Sequence, residues 1–285
     1  MRIWPTGATV VAGVAGNPVR HSLSPILHNA WISSAAIDAV YIAFSPRQDG
    51  FPAFVEGLRG GVIRGLNVTA PFKEDALRAA DVVSGSAAEA GAANLLIFDP
   101  AGQIFADNTD GLGLLVACAE QAPMFDPRSG PVVILGAGGA ARGAATALLN
   151  AGAPEIIVVN RSVERGGSLV DVLGARSRLW AWDDVAPALA EASLVINATT
   201  LGLHGVGSIA IPWDRLVPDA VVLDMIYRPL RTEFLEQAKA AGHATVDGLA
   251  MLIGQAAPSF EAFFGRPPPA IDVRRIALSA LESSE

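Results

Sequence analysis

The chain has 285 residues, 51% of them hydrophobic and 17% charged, with a net charge of −8 at pH 7 and a pI of about 5.0. That balance supplies a core for one large domain or two ordinary ones, excludes a largely disordered chain, and argues against nucleic acid or an anionic membrane as the partner. A single cysteine, Cys118, excludes an intramolecular disulfide and a cysteine metal cluster, and His21, His28, His204 and His243 have no metal-ligand spacing.

The apolar run from Thr9 to Ala15 is too short to span a bilayer and has no signal-peptide cleavage pattern after it, so a reducing cytoplasm is the expected compartment. Val10 to Gly16 reads as a buried strand closed by Gly-Asn-Pro. His28 to Ala36 reads as a helix, Ala39 to Phe44 as a strand, Phe51 to Arg59 as a helix and Ile63 to Val68 as a strand. Lys73 to Ala80 and Ser86 to Ala90 are predicted helices. Asn94 to Phe98 and Gln103 to Ala106 are strands around Asp99-Pro100-Ala101-Gly102, a hairpin-like connection. Leu112 to Gln121 is a further helix, with Cys118 on it as an inert core thiol, and the turn-rich stretch Pro123 to Pro131 is a boundary between structural units.

Beyond it the strands become short continuous apolar runs, Val132 to Leu135, Ile156 to Val159, Leu194 to Asn197 and Val221 to Asp224, the pattern of strands buried on both faces. An Ala-rich helix, Ala140 to Ala151, follows the first of them, and helices from Leu249 to Phe264 and Ile271 to Leu281 close the chain. The expected fold class is α/β: two α/β domains with largely parallel sheets, the second a Rossmann-like doubly wound parallel sheet. The expected boundaries are 1–110 for a substrate-binding and catalytic domain, 111–247 for a dinucleotide-binding domain and 248–285 for helices that return to the first, with an active cleft between them.

Gly136-Ala137-Gly138-Gly139-Ala140-Ala141 fits G-x-G-x-x-A, and it sits where that motif needs to sit, after a strand and opening a helix. Gly136 permits the turn, Gly138 lets backbone approach a pyrophosphate, and the helix N-terminus offers free N–H groups to it. The next strand ends in Asn160-Arg161-Ser162, with Arg165 one turn on, where an NAD-binding protein usually carries Asp or Glu. A carboxylate would repel a 2′-phosphate, whereas a guanidinium pairs with it, so the tip favours NADP. Two solvated surface arginines are the alternative reading.

The first part of the chain carries polar clusters around its strand ends. Ser22 and Ser24, beside a helix start, suit a carboxylate clamp or an ordinary N-cap. Lys73, in Asn67-Val68-Thr69-Ala70-Pro71-Phe72-Lys73, suits a proton acceptor in a cleft or a solvated charge. Asn94, and Asp107-Asn108-Thr109-Asp110-Gly111, complete three Asn/Asp clusters, each taken to end a strand of a parallel sheet and so to line its carboxyl edge.

In chain order, Gly16-Asn17-Pro18-Val19-Arg20-His21-Ser22-Leu23-Ser24-Pro25, Asn67 to Lys73 and Asp107 to Gly111 resemble the signature stretches of the shikimate dehydrogenase family. Gly136 to Ala140, Asn160 to Ser162, Asn197 to Gly202, Asp224 to Tyr227 and Asp247 to Leu252 resemble its cofactor-side stretches, so the resemblance runs from about residue 10 to about residue 265. It implies reversible, NADP-dependent oxidation of shikimate to 3-dehydroshikimate in aromatic amino-acid biosynthesis, by a cytoplasmic monomer or homodimer with no nucleic-acid, membrane or metal partner. It implies Lys73 and Asp110 as the catalytic pair. Ser22, Ser24 and Tyr227 would hold the substrate carboxylate, and Asn67, Thr69, Asn94 and Gln255 the ring hydroxyls. Asn160, Arg161, Ser162 and Arg165 would surround the 2′-phosphate, and Met225 and Gly248 would lie near the nicotinamide, with Thr199 also on the cofactor side. The chain departs from the family pattern at Leu95, where a hydroxyl residue often follows the asparagine, and at Ala70, where Val or Thr often precedes Pro-Phe-Lys. A quinate/shikimate dehydrogenase with broader substrate and cofactor use is the neighbouring reading; an acidic residue at the tip of the second cofactor strand would favour it, and Ser162-Val163 stand there instead.

Overall fold

The structure is a computed structural model that describes residues 5–182 and 185–283. The chain forms two units: one runs to Thr109 and resumes at Gln255, and the other is Asp110–Gly254. The second unit therefore extends beyond residue 247, the boundary expected from the sequence. The start of the last long helix stays with it because a Cβ at Gly254 would lie 2.9 Å from the carbonyl oxygen of Gly113.

The first unit contains β1 (Val10–Ala15), α1 (Ser24–Ser34), β2 (Ala39–Phe44), α2 (Phe51–Glu56), β3 (Ile63–Val68), α3 (Lys73–Arg78), β4 (Val82–Val83), α4 (Gly85–Ala90), β5 (Leu95–Phe98) and β6 (Ile104–Asp107). Its sheet has the order β2-β1-β3-β5-β6-β4. β1 pairs in parallel with β2 and β3, but β5 runs antiparallel to both β3 and β6. The sheet is thus largely parallel, as expected, with β5 as its reversed strand. The cause is local: the short turn Asp99-Pro100-Ala101-Gly102, with Gly102 at φ 88°, can join only antiparallel strands, because parallel neighbours need a crossover of a dozen or more residues.

This reversal decides where the polar clusters fall. Asn94 does not end a strand; it precedes β5. Because β5 is reversed, its start lies beside the end of β3 and the end of β6, with Leu95 in register with both Asn67 and Asp107. The backbone continues the ladder past the strands: Val68 N–H donates to the Asn94 carbonyl at 2.8 Å and Asn94 N–H to the Asp107 carbonyl at 3.1 Å. The three clusters share one edge, although Asn94 reaches it from the start of the reversed strand and not from a strand end.

The second unit contains α5 (Asp110–Gln121), β7 (Val132–Leu135), α6 (Gly139–Asn150), β8 (Ile156–Val159), α7 (Val163–Leu173), β9 (Ser177–Trp180), α8 (Val185–Leu189), β10 (Leu194–Asn197), β11 (Val221–Asp224), α9 (Glu233–Ala240) and β12 (Ala244–Val246). It also takes in the first turns of α10 (Gly248–Phe264), which continues into the first unit, where α11 (Val273–Glu282) follows. All its strands are parallel, in the order β9-β8-β7-β10-β11-β12, the doubly wound arrangement. Every residue of β7, β8, β10 and β11 is buried, as continuous apolar runs require. Helix α6 buries Ala141, Ala144, Ala145 and Leu148 in the core. Its small residues also let α5 approach closely: a Cβ at Gly111 would lie 2.2 Å from the Ala147 Cβ. Cys118 is buried in this core, and burial pushes its thiol up to about 12, so it stays protonated. No helix among the described residues is long and apolar enough to cross a membrane.

Candidate active site

The site in the first unit begins with an aromatic anchor. Phe72, fully buried, stacks on Phe51 with ring centroids 4.4 Å apart and planes 6° off parallel. It holds the first turn of α3, whose first residue is Lys73, half-buried. The Lys73 carbonyl accepts the Ala93 N–H at 2.8 Å, which fixes α3 to the residue before Asn94. Beside it, Thr69 N–H donates to the Ala15 carbonyl, and a Cβ at Gly16 would collide with the Thr69 methyl at 2.3 Å, so the ends of β1 and β3 are packed together.

Ser22 and Ser24 lie at the start of α1, which begins earlier than the predicted His28 because Pro25 suits a first helical turn. The N-cap residue is Leu23, which makes no side-chain cap. Ser22 Oγ accepts from the N–H of Ser24, the first residue of α1, at 3.3 Å.

From Tyr41 a buried polar chain crosses the edge of the sheet. The Tyr41 hydroxyl donates to Asn67 Oδ1 at 2.8 Å. Asn67 Nδ2 donates to Ser259 Oγ at 2.8 Å and to the Asn94 carbonyl at 3.3 Å. Ser259 lies one turn beyond Gln255 on α10 and donates to its carbonyl. Asn94 Nδ2 donates to Gln255 Oε1 at 3.2 Å and to Thr109 Oγ1 at 3.0 Å, while Asn94 Oδ1 accepts the Thr109 N–H. Asn67, Asn94 and Gln255, chosen from three separate stretches of sequence, are thus drawn into one network.

Tyr41, Thr109 and Ser259 join that network and were not foreseen as site residues. Tyr41 had a signal: a tyrosine in an otherwise apolar strand needs a partner for its hydroxyl once buried. Ser259, four residues after Gln255 on one helix face, had a weaker one.

Of the two carboxylates in Asp107 to Gly111, only Asp110 remains open to a chemical role. Asp107 is half-buried, which opposes ionisation, but hydrogen bonds from Ser84, Ser86 and the Asn108 N–H outweigh burial and hold it below the ordinary range. It braces α4. Asp110 is buried and opens α5, directly after Thr109 in the chain.

His28 supports Tyr41 from below. It is fully buried and stacks on the phenol ring at 4.1 Å, 4° off parallel. Burial lowers its pKa from 6.5 to about 3, so the imidazole is neutral. Between those values the unfolded chain binds a proton that the folded one refuses. The stability due to this group is complete above pH 6.5 and is lost as pH falls toward 3, at up to about 1.4 kcal/mol per pH unit. Urea titrations at pH 6.5 and pH 5 are expected to show about 2 kcal/mol more acid loss in the natural protein than in His28→Phe; equal losses in the two would show that His28 is not kept neutral by folding.

The second unit presents its loops at the carboxyl edge of the parallel sheet. Gly136 follows β7 at φ 109°, a conformation that favours glycine, and a Cβ there would lie 3.0 Å from the Ala198 carbonyl oxygen and 3.1 Å from the Thr199 methyl. The loops after β7 and β10 therefore touch at the switch in strand order, where doubly wound sheets take ligands. The N-cap of α6 is Gly138, and a Cβ there would meet nothing within 4 Å. Open space thus lies on the Cβ side of Gly138, at the start of α6, where a helix N-terminus suits a pyrophosphate beside Ala137, Gly138, Gly139 and Ala140.

After β8, Asn160 Nδ2 donates to the Ser162 carbonyl at 2.7 Å, and Ser162 Oγ caps α7 by accepting the Arg165 N–H. Arg161 and Arg165 are exposed on this clamped turn. After β10, Asn197 Oδ1 accepts from both the N–H and hydroxyl of Thr199. Asn197 Nδ2 donates to Asp224 at the end of β11, which also accepts from the Ile226 N–H and, at 2.6 Å, from Thr232. Burial pushes the Asp224 carboxyl above its ordinary value, although these three donors oppose it. Met225 and Tyr227 follow in the same loop, both half-buried. Gly248 approaches that loop so closely that a Cβ would lie 2.5 Å from the Met225 carbonyl oxygen.

Three family models match the chain: the shikimate dehydrogenase substrate binding domain over residues 14–96, shikimate / quinate 5-dehydrogenase over 120–204 and the shikimate 5'-dehydrogenase C-terminal domain over 248–278. The chain belongs to the shikimate dehydrogenase family. Among relatives in this family, the NADP(+) shikimate dehydrogenase of Caulobacter vibrioides is 56% identical over 277 residues, 97% of either chain. That of Maricaulis maris is 48% identical over 265 residues, 93% of this chain and 94% of the relative. The crystal structure of the Thermus thermophilus shikimate 5-dehydrogenase, in complex with NADP(H) and shikimate, superposes with a TM-score of 0.84 at 34% identity and covers 95% of this chain and 100% of its own. Shikimate dehydrogenase relatives are thus similar to this chain along nearly its whole length, and the match includes both units.

Proposed function

We propose that this member of the family oxidises shikimate reversibly to 3-dehydroshikimate with NADP+, using Lys73 and Asp110 on the reacting hydroxyl. The first unit is the substrate-binding part, and the second holds the dinucleotide. The observation that carries the reading is the convergence of Asn67, Asn94 and Gln255 on one buried network that ends at Thr109, next to Asp110, with Lys73 tied through its carbonyl to the residue before Asn94. A ring acid with several hydroxyls needs such an array of amides and hydroxyls at one end and carboxylate donors at the other.

When bound, NADP+ supplies the nicotinamide that takes up the hydride from the carbinol carbon. The chain supplies the rest. Lys73 accepts the hydroxyl proton in the oxidative direction and returns it in the reductive one, while Asp110 hydrogen-bonds the same hydroxyl and orients the ammonium. Ser22 and Ser24, with Tyr227, hold the carboxylate, and Asn67, Thr69, Asn94 and Gln255 hold the ring hydroxyls. The free N–H groups at Gly138 and Gly139 hold the pyrophosphate. Asn160, Arg161, Ser162 and Arg165 form the pocket for the 2′-phosphate, and Thr199, Met225 and Gly248 line the nicotinamide side. The exposed arginine pair, in place of an acidic residue, favours the NADP-specific reading over broader quinate and NAD use.

Purified protein mixed with shikimate and NADP+ is expected to generate reduced nicotinamide absorbance, with kcat/KM for shikimate with NADP+ at least about tenfold above that with NAD+ or with quinate. Equal rates with quinate and NAD+ would move the assignment to the broader enzyme, and no turnover with any pair would remove it.

A further inference from the structure

The hydrogen bonds around Asn67 run in one direction, and two backbone carbonyls decide which. The Asn94 carbonyl can only accept, so the end of the Asn67 amide that meets it at 3.3 Å is the NH2 group. The Gln255 carbonyl likewise only accepts, so the single hydroxyl hydrogen of Ser259 goes to it at 3.1 Å. A serine inside a helix often bonds the carbonyl four residues back; here that ordinary bond fixes the direction of the hydroxyl. Ser259 Oγ is then the acceptor of the second Asn67 N–H at 2.8 Å. Asn67 Oδ1 faces the other way and takes the Tyr41 hydroxyl hydrogen at 2.8 Å. Turning the amide over would set its oxygen against the Asn94 carbonyl oxygen.

A side-chain amide has two N–H groups and two acceptor positions on its oxygen. In Asn67 both N–H groups and one acceptor position are taken inside the protein. One lone pair remains for a ligand. Asn67 can therefore recognise a ring hydroxyl only through the hydrogen that the hydroxyl donates, and a group that accepts alone gains nothing there. Ser259 is fully buried and Asn67 is 5% exposed, so water does not readily replace a bond lost between them.

We propose that Ser259 is a positioning residue for substrate recognition: from α10 it holds the Asn67 amide with its N–H groups turned inward, which makes Asn67 a selective acceptor for one ring hydroxyl. This rests on the reading of Asn67 as a substrate-holding residue.

The test uses the full chain with Ser259→Ala and Asn67→Ala. It measures KM for shikimate, kcat at saturating NADP+ and the melting temperature. It also measures inhibition constants for two analogues, each lacking one of the ring hydroxyls that are not oxidised. Ser259→Ala suits a helix and removes only the hydroxyl. It is expected to raise KM about three- to tenfold, with kcat within about twofold and the melting temperature within a few degrees. The loss of affinity is expected to vanish for one analogue and persist for the other, because the substitution acts through the hydroxyl that Asn67 meets. In the natural protein, replacing that hydroxyl by fluorine, which accepts weakly and cannot donate, is expected to weaken binding as much as removing it. An unchanged KM for Ser259→Ala, a loss that persists with both analogues, or a fluoro analogue that binds as well as shikimate would each overturn the proposal, while a raised KM for Asn67→Ala leaves the site assignment standing. An unchanged KM for Asn67→Ala would overturn the assignment of Asn67 and the role of Ser259 with it.

Discussion

Lys73→Ala is expected to lower kcat for shikimate oxidation by about 10²–10⁴-fold while KM changes by less than about threefold. The hydride cannot leave the carbinol carbon without the hydroxyl proton leaving as well, and Lys73 is the base proposed to take it. The substrate is held by other groups, so binding survives the loss of the ammonium. The fold survives too, because Phe72 and not Lys73 anchors α3: its ring is fully buried on Phe51, and the Lys73 contact with Ala93 is made by backbone. Steady-state kinetics with a thermal melt on the same preparation check this. Turnover near that of the natural protein would show that the proton is taken elsewhere.

The second large effect is expected on cofactor choice. Arg161→Ala with Arg165→Ala should raise KM for NADP+ by about 10- to 100-fold, equivalent to about 1.4–2.8 kcal/mol, and leave KM for NAD+ nearly unchanged. The two guanidiniums are exposed on a turn that Asn160 and Ser162 hold in shape, so removing them deletes charge without unfolding the loop. NADP+ carries the 2′-phosphate and NAD+ does not, which makes the ratio of the two KM values the measurement. A parallel rise for both cofactors would mean that the arginines support the loop and do not read the phosphate.

The sequence was most readable where the fold is simplest. The strands β7, β8, β10 and β11 were found to the residue, because a four-residue aliphatic run buried on both faces has few other uses. The glycine turn and the basic tip of β8 were visible for the same local reason. Elements whose signals conflict were passed over. Helix α7 contains Gly166 and Gly167, β9 carries exposed Arg178, and β4 has only two residues.

The largely parallel sheet of the first unit and the hairpin-like turn after Phe98 were both legible. What the turn implied for Asn94, a place at the start of a reversed strand and not at a strand end, was not. Ser24, Asn67 and Asn94 were legible as polar residues near element ends, and Gln255, inside α10, only through the family resemblance; Tyr41 and Ser259 were not singled out, and Thr109 only as the hydroxyl of its Asp/Asn cluster. Their role exists only once the sheet edge brings residues more than a hundred positions apart into hydrogen-bonding distance, as between Asn94 and Gln255.

The brace formed by Asn197, Asp224 and Thr232 has a consequence for how tightly a dinucleotide can be held. Asp224 and Asn197 are fully buried, and their hydrogen bonds knot the loop after β10 to the loop after β11. Those segments surrender their conformational freedom when the chain folds, so little of it is left for a ligand to extinguish on arrival. With Thr199 and Met225 on the nicotinamide side as proposed, that half of the dinucleotide would meet a preorganised mould, and the binding energy of its contacts would go into affinity and alignment instead of into ordering the protein.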